Sequence, residues 1–233
     1  MKLSVADAAG VLNVSQKTIY RWLADGRIPG YRVHKQFRFD RAELLEWAAA
    51  RRLAVAPHAE IAVEPGSGVV PRFDEALLAG GIHYRVGGAR RDEVLQNAVQ
   101  AMRIVPEGER EALTAALGAR EDLAPTACGD GFALPHLRNP LRFEIGTPVV
   151  GVCLLEHPVD WSAPDGSPVH TLLVVVGPTV RTVLRLHIES LFALRDARFR
   201  EALGGHQPRE TIAREARRLA GLLRRPGDGN CPA

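Results

Sequence analysis

The chain has 233 residues, enough for two domains, and its 46% hydrophobic and 24% charged residues are the proportions of a globular protein. No apolar run approaches the roughly 20 residues that a membrane helix needs. The opening residues lack the apolar core of a leader peptide because Asp7 interrupts it, so a cytoplasmic location without membrane contact is expected. Three cysteines (Cys128, Cys153 and Cys231) form no close pair, which argues against a disulfide framework or a cysteine-only zinc site. The net charge of +3 is unevenly spread: residues 1–53 carry ten Lys and Arg against five acids, a net +5, leaving −2 for the remainder. A basic head on a mildly acidic body points to an anionic partner for the head, with a merely solvated basic surface as the alternative.

In chain order, residues 4–12 read as a short helix capped by Ser4, with Val5, Ala8, Ala9 and Leu12 as its apolar stripe. Asn13 and Val14 make a tight turn. Ser15 then caps a second helix that turns Ile19, Trp22 and Leu23 inward and stops at Asp25-Gly26. From Ile28 to Phe39 apolar and polar residues alternate around a basic centre, the pattern of a β-hairpin whose tip lies near His34, Lys35 and Gln36. Asp40 starts a third helix that runs to about Arg52, with Leu44, Leu45 and Trp47 inward. Residues 54–71 contain Pro57, Pro65, Gly66, Gly68 and Pro71 and show no helical period, so a linker separates a head at 1–53 from a body at 72–223.

From Phe73 onward helices and strands alternate, as in a layered α/β domain. Helices are expected over 92–103 and 108–117, and a short buried strand over Phe132–Leu134. β-Branched apolar strands follow over 148–155 and 169–176, then two closing helices over about 181–194 and 208–223. The Gly/Pro-rich residues 224–233 read as a disordered tail. The fold class is therefore α/β for the body and α+β over the whole chain.

Two short helices joined by a tight turn have the chemistry of a helix-turn-helix. The second presents Ser15, Gln16, Lys17, Thr18, Tyr20 and Arg21 and can enter a DNA major groove about 12 Å wide. Arg32, Lys35 and Arg38 of the hairpin can then reach phosphates. A small protein-binding helical module is the other reading. The run from Leu3 to Trp22, followed by Gly26–Val33, Phe37-Arg-Phe39 and Leu44-Leu-Glu-Trp47, resembles the excisionase-type branch of the MerR-like winged helix-turn-helix family. The resemblance implies a recognition helix carrying Ser15, Lys17, Thr18, Tyr20 and Arg21, and a wing carrying Lys35 and Arg38. Such modules gain affinity as dimers on paired half-sites, so a homo-oligomer is expected.

The most informative segment of the body runs from Thr126 to Arg138, where a Gly-x-Gly turn and a short apolar run lead to Pro135-His136. Pro135 fixes its own φ and biases Leu134 toward extended backbone, so His136 stands on a stiff support. On spacing alone it is either a reactive imidazole or a structural histidine. Metal binding has Cys128 eight residues away and no zinc-like spacing. Triad catalysis finds Thr126 and Asp130 nearby but no familiar arrangement. Phosphoryl acceptance needs only an imidazole nitrogen and donors for the phosphoryl oxygens, which Thr126, Arg138 and backbone amides can supply. No cofactor is implied.

This segment resembles the active-site signature of phosphotransferase-system enzyme IIA domains of the fructose/mannitol and nitrogen-regulatory type. Arg91–Leu95, Pro148–Val152, Pro158–Trp161, Asp165–Val169, Leu172–Val176 with Pro178, and Phe199–Leu203 carry the resemblance over about 73–220. It implies a mixed sheet flanked by helices, and His136 as acceptor of a phosphoryl group from a small phosphocarrier protein. The family's second histidine falls at Val183 here, while His187 stands four residues on, as a partner one turn deeper or as a packing residue. The expectation is a DNA-binding transcriptional regulator that reads phosphorylation state, with a phosphoacceptor domain rather than a turnover enzyme. A phosphocarrier protein and a non-phosphorylated ligand sensor are the alternatives.

Overall fold

The computed structural model describes residues 2–33, 36–40, 44, 47, 48, 51, 71–137, 143 and 145–223. The expected linker, apart from Pro71, and the expected tail lie outside the described residues, as do most of the third head helix and the hairpin tip.

The head begins with a strand that the sequence pattern did not announce, β1 (Lys2–Leu3), before α1 (Val5–Val11) and α2 (Gln16–Ala24). Ser4 caps α1 in a reciprocal box: its hydroxyl accepts from the Asp7 amide and the Asp7 carboxylate accepts from the Ser4 amide. Ser15 caps α2 by accepting from the Thr18 amide at 3.1 Å. The hairpin forms as β2 (Tyr31–Val33) and β3 (Gln36–Asp40), and β1 joins its far side to make an antiparallel sheet ordered β1-β3-β2. Leu44, Trp47 and Ala48 are helical. The core gathers Leu3, Val5, Ala8, Leu12, Ile19, Ile28, Phe39 and Leu44. Trp22 and Trp47, expected inward, are half-buried and pack on each other with ring centroids 5.2 Å apart.

In the body, α3 (Phe73–Gly80) leads to β4 (Ile82–Val86), followed by α4 (Arg91–Met102) and α5 (Arg110–Leu123). β5 (Ala127–Gly129) and β6 (Phe132–Ala133) form a small hairpin, and β7 (Val149–Val159) and β8 (Val169–Val176) are the long strands. α6 (Val180–Ala193), α7 (Ala197–Gly204) and α8 (Arg209–Leu222) close the fold. The expected end of α5 at Leu117 is too early: Gly118 has open space around it and the helix runs through. β7 likewise runs four residues past the expected Leu155, and α7 stands as a separate helix between the two expected closing ones. β4 escaped the sequence pattern because it is an edge strand, exposed at its centre, with no clean apolar alternation.

The five strands run in the order β4-β7-β8-β6-β5. β4–β7 and β6–β8 pair parallel, while β7–β8 and β5–β6 pair antiparallel, so the sheet is mixed. The two long strands are buried on both faces, and successive side chains enter opposite cores. Val150, Val152, Leu154, Leu173 and Val175 meet α3, α6, α7 and α8. Val149, Cys153, Leu155, Leu172, Val174 and Val176 meet α4 and α5. This explains why both runs are continuously apolar rather than alternating. Gly80 lets α3 lie directly on β7, since a Cβ there would stand 2.5 Å from the Val150 carbonyl.

Candidate functional site

The site is built outward from a two-residue turn. Asp130 and Gly131 both have positive φ, +54° and +82°, as a type I′ hairpin between β5 and β6 requires, and Asp-Gly is a preferred pair there. Contacts hold this turn from several sides. The Asp130 amide donates to Asp165 at 2.9 Å, Arg200 of α7 pairs with the Asp130 carboxylate at 2.7 Å, and the Gly131 carbonyl accepts from the His170 amide at 2.8 Å. The His170 ring packs over Gly131, so that a Cβ there would meet it at 2.2 Å, and stacks edge-on against Phe132. Burial is the main cause that pushes the His170 pKa down.

Beyond β6 the chain continues beside β8. The Val175 amide donates to the Pro135 carbonyl at 2.9 Å, and His136 forms an isolated parallel bridge with Val175. The strand-like support expected from Leu134-Pro135 is thus an extension of β6 along the central sheet. His136 is 3% exposed, and its Nδ1 lies 2.9 Å from the Leu134 carbonyl oxygen. A carbonyl can only accept, so Nδ1 carries the proton by inference from the bond, and in the neutral ring Nε2 holds the lone pair.

His187 comes to the same place from α6. The two imidazole centroids are 4.6 Å apart with ring planes at 60°. His187 is also 3% exposed, and neither of its ring nitrogens has a hydrogen-bond partner. Burial above all, then the neighbouring His136 and Arg120, hold its pKa well below the ordinary range. It is therefore both near His136 and packed. Val183, one turn earlier, is buried in the domain core.

Two further buried charges stand here that sequence reasoning passed over. Arg120, 4% exposed near the end of α5, donates to the Ala124 carbonyl at 2.7 Å. Glu121, 1% exposed, accepts from the Thr126 amide at 2.8 Å, from the Thr126 hydroxyl, and from the Trp161 indole at 3.0 Å. The adjacent Arg120-Glu121 pair in a helix otherwise apolar on its buried side was the available signal. Thr126, expected to donate to a phosphoryl group, has its hydroxyl and amide both committed to Glu121; in this structure it ties α5 to β5 instead. Arg138 lies outside the described residues.

On the head, Ser15, Gln16, Lys17, Tyr20 and Arg21 are exposed along one side of α2, with Thr18 half-buried beside its cap. Arg38 turns back on the hairpin, donating to Gln36 at 2.6 Å and to the Phe37 carbonyl at 3.1 Å. Arg32 lies on β2, described in its backbone only, and Lys35 lies outside the described residues. Among the described residues no cluster of three or more His, Cys, Asp or Glu is arranged to hold a metal, and no helix is long and apolar enough to cross a membrane. Cys153 is fully buried, which pushes its thiol up to about 12.

A mixed sheet between two helical layers, with one buried imidazole on a strand extension facing a second on a helix, defines an enzyme IIA type of domain carried behind a helix-turn-helix. Residues 80–212 match the family described as phosphoenolpyruvate-dependent sugar phosphotransferase system, EIIA 2, and the chain belongs to that family. Residues 3–52 match a helix-turn-helix domain. A nitrogen regulatory protein of Pseudomonas aeruginosa PAO1 is 32% identical over 118 residues, which cover 50% of this chain and 75% of that protein. Among solved structures, the nitrogen regulatory protein IIA-Ntr from Neisseria meningitidis is 22% identical, with a TM-score of 0.49 over 65% of this chain and 98% of that one. A PTS IIA domain protein from Streptococcus pyogenes M1 GAS is 18% identical, with a TM-score of 0.53 over 64% of this chain and 97% of its own. The last likeness supports the fold.

Proposed function

We propose that the chain is a DNA-binding transcriptional regulator whose EIIA domain reads the phosphorylation state of a phosphotransferase system through His136. The observation that carries this reading is the place of that ring and the carbonyl held against its Nδ1. Nδ1 is held by the Leu134 carbonyl, Nε2 keeps its lone pair, and a second imidazole stands 4.6 Å away by centroid. Nε2 attacks the phosphorus of a phosphorylated carrier protein, an N–P bond forms on His136, and the carrier's own bond to phosphorus breaks. The new group adds negative charge and strong acceptor oxygens inside the protein, and a proton on His187 would give them a donor. DNA is the partner of the head through α2, with excisionase-type, MerR-like reading and a dimer on paired half-sites. The cytoplasm is the compartment that fits both partners.

The test compares DNA affinity for wild type, His136→Ala, and wild type treated with phosphorylated carrier. A shift of about fivefold or more on phosphorylation, absent from His136→Ala, is expected, since coupling between sites is typically 1–3 kcal/mol. Identical affinities in all three samples overturn the regulator. Onward transfer is the second reading, favoured by the closeness of His187; it requires that isolated phosphorylated protein hand its phosphoryl group to an acceptor.

A further inference from the structure

Helix α6 belongs to two cores at once. Val183 and Leu186 point into the body, packed with Phe73, Val175 and Phe199. Leu184 and Ile188 are buried instead in the core of the head, in one cluster with Leu3, Leu12, Ile19 and Phe39, and are only 9% and 6% exposed. Residues three and four apart on a helix are neighbours on its surface. His187 therefore adjoins Val183 on the body side and Leu184 on the head side, at the seam where the head meets the body. Its ring is the one that meets His136 edge-on, and both residues are 3% exposed.

We propose that the helix-turn-helix head is a removable cover over the histidine pair, docked on Leu184 and Ile188 of α6, and that phosphoryl acceptance at His136 requires it to lift. The inference rests on His136 as the accepting imidazole. A ring only 3% exposed gives a phosphoryl donor little room to approach, so the form that accepts is more open than this one. The head is the neighbour taken to move: Leu184 and Ile188 of α6 lie in its apolar core, and residues 54–71 separate it from the body in sequence. Gln16, Lys17, Tyr20 and Arg21 of α2 stay exposed with the head docked, so the docked head keeps these residues free for DNA. Docking and DNA contact are compatible, whereas docking and phosphoryl acceptance are not. By reciprocity, DNA that favours the docked head disfavours the phosphorylated state at equilibrium, and phosphorylation weakens docking by the same factor.

The experiment uses the full chain and potassium phosphoramidate, a small-molecule phosphoryl donor to imidazoles, so that neither carrier nor DNA enters. The rate of modification of His136 is followed by mass spectrometry for wild type and for Leu184→Asp/Ile188→Asp. The milder Leu184→Ala/Ile188→Ala is carried alongside, and circular dichroism confirms that each folds. Loosening the cover is expected to raise the rate about tenfold or more, in proportion to the open fraction. Hydrogen exchange of the α1 and α2 amides should rise in the same variants, with β7 and β8 unchanged. Equal rates in wild type and both folded variants, or no modification in any of them, overturn the cover. The regulator reading has a separate failure, identical DNA affinity with and without phosphate.

Discussion

At the scale of single residues, the site is a set of buried polar groups whose partners are closely assigned. Leu134 orients His136, Glu121 gathers three donors, and His187 has neither ring nitrogen satisfied. Enclosure of His187 beside Arg120 has a consequence for stability. Its pKa is depressed in the folded chain, while the unfolded ring takes a proton near the ordinary 6.5. Below that pH the unfolded state binds more protons than the folded state. The stabilising share of a neutral His187 is therefore complete above about pH 6.5 and is lost as pH falls from there toward the lowered folded pKa. Urea midpoints measured from pH 8 to pH 5 should fall less steeply for His187→Gln than for wild type. Equal slopes would show that this ring is not the group responsible.

At the scale of elements, two glycines in body helices separate space from conformation. Gly80 ends α3 where the helix touches the backbone of β7, and a Cβ would lie 2.5 Å from Val150, which cannot swing aside as a side chain would. Gly80→Ala is expected to cost about 2–3 kcal/mol in chemical denaturation, the range for overpacking a dense core. Gly118 lies inside α5 with nothing within 4 Å, so Gly118→Ala should stabilise by about 0.5–1 kcal/mol through helix propensity. Opposite signs from one chemical change are the check on how closely α3 is seated. The same elements explain the site's stiffness. The Asp130-Gly131 turn is held by Asp165 and Arg200 from two other parts of the chain, and the extension to His136 is bonded to the central strand β8.

At the scale of the molecule, charge and packing divide the labour. The head carries the excess positive charge, with Lys17 and Arg21 exposed on α2, while the body carries the imidazoles between its sheet and α6. Binding to any DNA duplex should weaken as salt rises, because each phosphate contact releases condensed counterions. Lys17→Ala and Arg21→Ala should each lower the log–log salt slope by about 0.9, one contact's worth, whatever the duplex sequence. A slope unchanged in both variants would remove α2 from the phosphate contacts. Among the described residues, α6 supplies side chains to both the head's core and the body's, the route that the proposed coupling would take.

The amino-acid sequence by itself determined what depends on near neighbours: Ser4 and Ser15 as caps, the Gly-x-Gly turn, the apolar runs of β7 and β8, and the stiff approach to His136. These follow from local backbone preference and side-chain period, which act within a few residues. Tertiary structure alone decided the rest. The edge strand β4 forms because β7 offers it a partner, and the use of Thr126 depends on Glu121 arriving from α5. Whether His187 packs or pairs was undecidable along the chain, because its distance from His136 is set by where α6 settles on the sheet. There it does both, with Leu184 and Ile188 drawing the head onto the same helix, since burying apolar surface is indifferent to how far apart in sequence the partners lie.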